Sequence, residues 1–355
     1  MSLEKIISYG NAVLEPENEL EVLENGSKIQ LKPLKGLKFL AHFDDRTYHQ
    51  AIFPFNGLGV LPEQPNTRIS DEGKFARCLN SGGGNQELLF PVYSELSALF
   101  PLTVQFYLKL DIPLTPDLHK IVERINYDDL SSIPWSCGFY GGEVYWFFKK
   151  DGQEMVILTS GLELQTERWY HLLFTADSGL AKIFLDGAEI AGGEIFEELA
   201  EGDCPLTLRV PTPGGFLDEL AISGYFQEEN FTPPNEPIKP FSSNQPKAII
   251  SLDAGFSSAG WDLSSLEFID EEVFDSGGIK LRIDADDDNT PSFSGDPLTL
   301  DAVRALADLQ GKFLHLEFSF FSDSQTQRVL SSGKIGVKPN GHILLRRKPE
   351  ILRRF

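Results

Sequence analysis

The sequence predicts an all-β protein of two β domains, and three observations support this. In the stretch 169–190 (WYHLLFTADSGLAKIFLDGAEI), Tyr170, Leu172 and Phe174 share one face of an extended strand, as a period of two requires. Similar short stretches are separated by clusters of Gly, Pro, Asn and Asp, which favour turns. The 27 phenylalanines suit packed sheets, and 355 residues exceed one ordinary domain.

The first 35 residues predict a short N-terminal β-arm. Two strand-like segments, 20–23 and 28–31, flank Asn25-Gly26, which is a strong hairpin signal. In the stretch 169–190, Asp177-Ser178-Gly179 and Asp186-Gly187 predict two further hairpin turns. A β-meander is therefore expected there.

Residues 36–231 predict the first domain, a β-sandwich or jelly roll made of many short strands. One interruption is expected at 115–129, a short surface helix. Its apolar residues recur at helical spacing, namely Leu118, Ile121, Val122 and Ile125.

The segment 232–246 (TPPNEPIKPFSSNQP) holds five prolines and predicts a stiff, extended linker. A second, smaller β-sandwich domain is expected over 247–340, with an alternating strand at 313–320 (FLHLEFSF). A short helix opened by Thr299 or Asp301 is expected before that strand, because Leu300, Val303, Leu306 and Leu309 share a helical face. A basic tail, 341–355, closes the chain.

Charge and cysteine content exclude several classes of protein. With 31 basic against 53 acidic residues, the net charge of -22 disfavours nucleic acid and anionic membranes as partners. Cys78, Cys137 and Cys204 form no CxxC pair, so we expect buried free thiols and no disulfide scaffold or zinc site. We find no signal-peptide pattern and no apolar run of membrane-spanning length, and we expect a soluble protein.

Five segments occur in a recognisable order: FLAHFDDRT, GKFARCLN, FPLTVQFYLKLD, the stretch 169–190 and GGFLDELAIS. Together, over residues 36–228, they resemble the laminin-G-type, concanavalin A-like jelly roll. Tyr107 stands where that family usually has a Trp. The second domain, with WDLSSLEF, GGIKLRIDADDD and QGKFLHLEFSFFSD, is similar to a β-sandwich module that accompanies such jelly rolls in phage tail and other virion-associated proteins.

Members of the jelly-roll family include glycosidases, but catalysis is not expected here. The first domain lacks the Glu-x-Asp-x-x-Glu spacing that places two carboxylates on one strand face. Asp218 and Glu219 are adjacent, and adjacent strand residues point to opposite faces. His42 and His171 have no nucleophile arrangement beside them, so structural roles are expected. The sequence predicts a protein that is not an enzyme.

Calcium is the one cofactor that the sequence suggests. Asp44 and Asp45 follow the first strand, and Asp218 lies on the last, which often neighbours the first in a jelly roll. The alternative is that Asp44 and Asp45 shape a turn that Asp218 caps. The acidic run 284–289 (DADDDN) has Asn289 where a calcium loop needs Gly, so a solvated loop is expected.

A glycan site has a separate signal, because sugars bind aromatic faces flanked by amides. Gly-rich segments carry the candidate residues Trp135, Tyr140, Trp146, Asn85 and Gln86. The alternative is that the aromatic residues pack in the core.

The C-terminal tail concentrates positive charge in an acidic chain. It carries five basic residues that could dock on an acidic neighbour or on another copy of this protein: Arg346, Arg347, Lys348, Arg353 and Arg354. The alternative is a closing strand with a solvated basic edge.

Two functions remain open. The first is a non-enzymatic structural or assembly protein of a phage virion or phage-like particle, made in the host cytoplasm, with an outward-facing lectin-like jelly roll. The second is a carbohydrate-binding adhesin that recognises cell-surface glycans, at the cell surface or exported by a non-classical route. Virion neighbours, other copies and a glycan are the expected partners, without nucleic acid or membrane insertion.

Overall fold

The computed structural model describes most of the chain in separate ranges. These are residues 3–15, 20–31, 36–44, 47–50, 58–60, 68–81, 86–90, 100–124, 135–150, 153–158, 164–196, 204–211, 214–239, 245–255, 259–269, 271–275, 278–321 and 329–339. They divide into two units: a larger unit, residues 33–240, and a smaller unit, residues 1–32 and 241–355.

Strands dominate both units. In chain order they are β1 (Leu3–Ile7), β2 (Val13–Glu15), β3 (Leu20–Leu23), β4 (Lys28–Leu31), β5 (Leu37–Ala41), β6 (Thr47–Gln50), β7 (Leu58–Val60), β8 (Arg68–Ser70), β9 (Cys78–Asn80), β10 (Gln86–Phe90), β11 (Leu102–Leu110), β12 (His119–Arg124), β13 (Trp135–Tyr140), β14 (Glu143–Lys150), β15 (Gln153–Leu158), β16 (Trp169–Asp177), β17 (Leu180–Leu185), β18 (Ala188–Glu194), β19 (Leu206–Val210), β20 (Gly215–Ser223), β21 (Lys247–Asp253), β22 (Ala259–Phe268), β23 (Ile279–Asp286), β24 (Leu309–Gln310), β25 (Phe313–Phe320), β26 (Val329–Ser331) and β27 (Gly333–Pro339).

The described helices are short: a 3-10 turn at Glu24–Gly26, α1 at Glu272–Asp275 and α2 at Leu300–Arg304. The helix predicted before β25 is confirmed as α2, and Thr299 is its N-cap, because its side chain accepts a hydrogen bond from the Ala302 N–H. Leu309, predicted on that helix, instead begins β24. None of the helices in the described ranges is long and apolar enough to cross a membrane.

The larger unit is a sandwich of two antiparallel sheets. One has ten strands, with the main order β18-β17-β16-β11-β20-β5-β6-β7, while β9 pairs with β20 and β8 pairs with β9. The other has six strands in the order β10-β19-β12-β13-β14-β15. Apolar side chains from both sheets form one continuous core, including Phe106, Phe174, Trp135 and Trp146. Non-consecutive strand neighbours make this a jelly roll and not a simple meander.

The hairpins predicted in the stretch 169–190 are confirmed. Strands β16, β17 and β18 pair in sequence, with Asp177 opposite Leu180 and Leu185 opposite Ala188. Asp186 and Gly187 both have positive φ, at 48° and 82°, as a two-residue primed turn requires. The hairpin predicted around Asn25-Gly26 is also confirmed, because β3 pairs with β4 there.

The predicted surface helix at 115–129 is wrong, since residues 119–124 form β12. A β-bulge lies between Lys120 and Val122. It turns Ile121 and Val122 toward the core together, so two adjacent apolar residues are buried in one strand. A bulged strand therefore imitates the helical spacing of apolar residues.

The smaller unit contains three described sheets, ordered β1-β27-β22-β24, β2-β21-β25-β23 and β26-β4-β3. Strands from the predicted N-terminal arm take part in all three. The Tyr9 hydroxyl donates a hydrogen bond to the Ser331 carbonyl oxygen at 3.0 Å, and the Tyr9 ring lies edge-on to Phe318. The N-terminal segment is therefore an integral part of the smaller unit.

Two parts of the predicted linker are described: residues 232–239 belong to the larger unit, and residues 245–246 belong to the smaller unit. Together with residues 225–231, residues 232–239 cross the outer face of the ten-stranded sheet, and we call residues 225–239 the strap. Ile238 of the strap packs on Leu37, Leu40 and Ala221. Apolar contact and hydrogen bonds thus hold the proline-rich segment to the jelly roll.

Candidate functional site

Two buried carboxylates, Asp218 and Glu219, lie on the same face of β20. The register with β11 shifts here, so that Asp218 pairs with Tyr107 while Ala221 pairs with Gln105. Glu219 has a φ of 53°, in the left-handed region. The expectation that these side chains point to opposite faces is therefore wrong, because a bulge breaks the alternation of the strand.

Asp218 fastens the loop between β8 and β9, residues 71–77. Its Oδ2 accepts hydrogen bonds from the Lys74 N–H at 2.8 Å and the Phe75 N–H at 3.4 Å, and its Oδ1 accepts one from the Glu219 N–H. Burial raises the pKa of Asp218 to about 7, and the Glu219 charge adds to the rise, while the backbone hydrogen bonds oppose it.

Glu219 joins the first strand to the strap. Its Oε1 lies 2.6 Å from His42 Nδ1, and its Oε2 accepts a hydrogen bond from the Ile238 N–H at 2.8 Å. Burial lowers the pKa of His42, but the hydrogen bond and charge of Glu219 outweigh it, so the His42 pKa lies above its ordinary value. Asp218 and Glu219 are each 1% exposed, so a substrate in solution does not reach them. The pair acts as a clamp.

Asp44, the other described residue of the suggested calcium site, contacts the same loop. Its Oδ1 accepts a hydrogen bond from the Arg77 N–H at 3.0 Å, and its carbonyl oxygen accepts one from Arg77 Nη1 at 3.1 Å. Within the described ranges, no group of three or more His, Cys, Asp or Glu side chains could hold a metal ion. Asp45 lies outside those ranges. Asp44 and Asp218 therefore both hold the loop 71–77, and no described contact shows Asp218 capping a turn at Asp44. Calcium remains a prediction.

The aromatic residues predicted to bind glycan differ in how much of each side chain is exposed to solvent. Trp135 and Trp146 are 1% and 0% exposed and lie in the core between the sheets, so their assignment as ligand contacts is wrong. Tyr140 is 54% exposed at the end of β13. Asn85 and the Gln86 side chain lie outside the described part of the structure. Strand alternation decides this outcome, because odd-numbered residues of β13 face the second sheet and Tyr140 faces away.

The two residues that follow Tyr140 in the chain line a groove of about 670 Å³. Gly141 and Gly142, which form the β13–β14 turn, line one side, and Leu164, Gln165 and Thr166 line another. A Cβ added to either glycine would meet no atom within 4 Å, so the turn stands open. Two further exposed apolar side chains, Ile112 and Leu118, lie in the segment between β11 and β12, which also lines the groove.

His171 lies on β16 of the ten-stranded sheet, on the outer face that the strap covers, and it is buried. Its Nε2 lies 3.2 Å from Gln105 Oε1, and its ring packs against Tyr107 and Phe231. Burial, assisted by the charge of Lys74, lowers the pKa of His171 to about 3. The expected structural role of His171 agrees with these contacts.

The smaller unit contains a hydrogen-bonded chain that the sequence did not indicate. The Ser251 hydroxyl lies 2.7 Å from His315 Nδ1, and His315 Nε2 lies 3.2 Å from Asp286 Oδ1. These three residues come from separate strands, so only the strand register brings them together. Asp286 also accepts hydrogen bonds from the N–H groups of Asp288 and Asn289, which fold the acidic run into a turn. The basic tail, with its five docking residues, lies outside the described ranges.

Residues 83–226 match the model of a known family, described as the concanavalin A-like lectin/glucanases superfamily. The comparison with curated proteins finds no match. This family match covers most of the larger unit and none of the smaller one.

Several solved structures are similar to this chain. Domain 4 of AbnA, a GH43 extracellular arabinanase from Geobacillus stearothermophilus, in complex with arabinotriose, shares 18% identity over 54% of this chain and 94% of its own, with a TM-score of 0.41. The binding domain of Paraclostridial Mosquitocidal Protein 1 shares 14% identity over 70% of this chain and 61% of its own, with a TM-score of 0.43. The binding domain of Botulinum neurotoxin serotype D shares 12% identity, with a TM-score of 0.44, and the match covers 55% of this chain and 49% of that domain.

The order of the sheets, the core between them and the family match agree with one another. The larger unit of this chain has the concanavalin A-like, laminin-G-type jelly-roll fold.

Proposed function

We propose that the larger unit is a non-enzymatic carbohydrate-binding module, and that it binds glycan in the groove beside Tyr140. The observation that carries this proposal is an exposed aromatic side chain, Tyr140, directly before Gly141 of an open groove, on a fold whose family includes lectins. A sugar ring stacks its apolar face on an aromatic ring and directs its hydroxyl groups to polar neighbours.

The groove has the dimensions and composition of a ligand site. Its volume of about 670 Å³ lies within the usual range for small-molecule pockets. Leu110, Leu114 and Leu164 supply apolar walls, while Gln165 and Thr166 supply polar groups. The exposed glycines of the β13–β14 turn leave room for a chain of sugars to continue past Tyr140.

The position of the adjacent carboxylates on β20 favours a binding function over hydrolysis at that pair. Asp218 and Glu219 share a face, but both are buried and hold backbone N–H groups. A glycosidase needs one carboxyl group to donate a proton to the substrate and a second to attack it or to activate water. Carboxylates that are 1% exposed do not supply these contacts.

The experiment is a glycan array probed with the full chain, followed by titration of the bound glycan. Tyr140→Ala is expected to weaken binding about tenfold or more, since removing a stacked ring forfeits about 1.5 kcal/mol or more. Tyr140→Phe keeps the ring and is expected to retain most of the affinity.

Leu180→Ala is the matched control, because Leu180 is also exposed in the larger unit but lies at the β16–β17 hairpin. It is expected to leave binding unchanged. A chain that binds no glycan on the array, or a Tyr140→Ala variant that binds as well as the unmodified protein, would contradict the proposal.

We further propose that this module belongs to a phage virion or phage-like particle, with its jelly roll facing outward. The observation that favours assembly is the five basic residues of the tail in a chain of net charge -22, an arrangement that suits docking on an acidic copy or neighbour. The phage setting follows only from the resemblance of the second domain to modules of virion-associated proteins. Light scattering of the full chain and of a chain lacking residues 342–355 tests the docking step. An oligomer that survives the deletion contradicts the docking role.

A further inference from the structure

The outer face of the ten-stranded sheet carries a polar row on β11. Val104, Phe106 and Leu108 point into the core, so the residues between them, Gln105 and Tyr107, face outward. Tyr107 and Gln105 both contact His171 on this face. The strap crosses the same face, and its hydrogen bonds to the sheet determine what space remains beneath it.

One end of the strap is fixed near the start of β11. The Thr103 hydroxyl donates a hydrogen bond to the Tyr225 carbonyl oxygen at 2.6 Å, and the Gln227 N–H donates one to Thr175 Oγ1 at 2.9 Å. Thr103 and Thr175 are both fully buried. This end is therefore held by hydroxyl groups that the sheet itself orients.

The other end is fixed at Tyr107, further along β11 on the far side of Gln105. The Tyr107 hydroxyl donates a hydrogen bond to the Pro234 carbonyl oxygen, and Glu219 accepts the hydrogen bond from the Ile238 N–H at 2.8 Å. Between these two anchors, Phe231 donates its N–H to the Gly187 carbonyl oxygen. The strap is thus held on both sides of Gln105.

A cavity of about 350 Å³ lies between the anchors, and Gln105 lines it. Gln105 is 9% exposed, and its Oε1 is hydrogen-bonded to His171 Nε2. Among the described residues, the amide nitrogen of Gln105 has no hydrogen-bond partner. A largely buried amide therefore offers two N–H donors toward a space large enough for a small molecule.

The cavity is close to neutral. The charged residues that line it, Glu236 and Lys239, form an ion pair with each other at 3.4 Å. His171 below Gln105 is neutral at physiological pH, since burial lowers its pKa to about 3. Apolar side chains form the other walls, including Leu37, Phe231 and Ile238. Because the charges of Glu236 and Lys239 offset each other, the cavity offers an ion no unpaired counter-charge, and it favours an uncharged ligand.

We propose that this cavity under the strap is a second ligand site, which takes one neutral monosaccharide-sized ring. The ring places hydroxyl or acetamido oxygens against the Gln105 amide and the Ser223 hydroxyl, and its apolar face against Phe231. This site is separate from the groove beside Tyr140 and does not depend on it.

The experiment uses the full chain carrying Tyr140→Ala, so that the groove does not contribute. Saturation-transfer NMR is recorded with galactose, arabinose, N-acetylglucosamine and, as a charged control, glucuronic acid. At least one of the three neutral sugars is expected to bind at millimolar concentration, and glucuronic acid is expected to bind at least tenfold more weakly.

Gln105→Leu keeps the size of the side chain and removes the amide, and it is expected to weaken binding about tenfold. Circular dichroism confirms that this variant is folded; if it is not, Ser223→Ala, with an expected loss of about threefold, decides the question. The proposal is overturned if none of the neutral sugars binds, if glucuronic acid binds as well as they do, or if the folded variant binds unchanged. Because the groove is already disabled, each of these outcomes leaves the proposal for Tyr140 untouched.

Discussion

Replacing Asp218 by Asn removes a buried charge whose ionisation opposes folding. The pKa of Asp218 rises from 3.8 to about 7 in the folded chain. Between these two values the folded state binds a proton that the unfolded state releases, so stability falls as pH rises from about 4 to about 7. The difference of about three pH units, at about 1.4 kcal/mol for each, gives a loss of about 4 kcal/mol in the free energy of unfolding.

His42 acts in the same direction, because its pKa is raised. Its contribution is complete below its unfolded pKa and is lost as pH rises through its folded pKa. Asp218→Asn keeps the hydrogen bond and charge of Glu219, which raise the His42 pKa most, and removes only the smallest contribution, the charge of Asp218. The difference between the unmodified chain and the variant therefore reports mainly on Asp218, and the unmodified chain is expected to lose about 4 kcal/mol relative to the variant between pH 4 and pH 8.

Urea unfolding at intervals across this pH range measures the effect. Tryptophan fluorescence reports mainly on the larger unit, which contains Trp135, Trp146 and Trp169, whereas Trp261 belongs to the smaller unit. Asp117→Asn is the control, because Asp117 is exposed in the same unit, and its curve is expected to run parallel to that of the unmodified chain. If the Asp218→Asn curve is also parallel, the buried charge does not oppose folding and the reasoning is refuted.

Two further substitutions test contacts in the two units. Gly187→Ala adds a Cβ that overlaps the Phe231 carbonyl oxygen, whereas Gly179→Ala meets no atom within 4 Å at nearly the same φ (82° against 83°). Urea unfolding should show that Gly179→Ala lowers the free energy of unfolding by about 1 kcal/mol and Gly187→Ala by about 3 kcal/mol. Equal losses would show that the strap moves away from the added Cβ at no cost in stability. In the smaller unit, Tyr9→Phe removes the hydrogen bond to Ser331 but keeps the ring on Phe318, so a loss of about 1 kcal/mol is expected. Tyr140→Phe, at an exposed position, is the control, and a Tyr9→Phe chain as stable as the control would mean that the N-terminal segment adds little through this bond.

The positions of Asp218 and Glu219 could not be predicted from the alternation of residues along the strand. The segment GGFLDELAIS correctly indicates a late strand, and residues Gly215–Ser223 of it form β20. Alternation then assigns the two acids to opposite faces, but the bulge opposite β11 puts them on one. A bulge depends on how two distant strands meet, and neither strand contains that information alone.

For the aromatic residues of β13 and β14, the sequence predicts the strands but not which side chains are buried. Their spacing predicts strands, and the strands form. Whether Trp146 is a core residue or Tyr140 a surface one depends on which face the second sheet covers. Both residues are large and aromatic, so composition does not separate them.

By itself, the sequence determined the all-β class, the hairpins at Asn25-Gly26 and Asp186-Gly187, a short helix opened by Thr299 or Asp301, and the jelly-roll resemblance. Each of these depends on period, turn chemistry or capping within a few neighbouring residues. Tertiary structure alone decided that β1 pairs with β27, that Ile121 and Val122 share a bulged strand, that the proline-rich segment becomes a strap, and that Gln105 faces a cavity beneath it. These features arise from contacts between segments far apart in the chain, where burial and strand register override local preference.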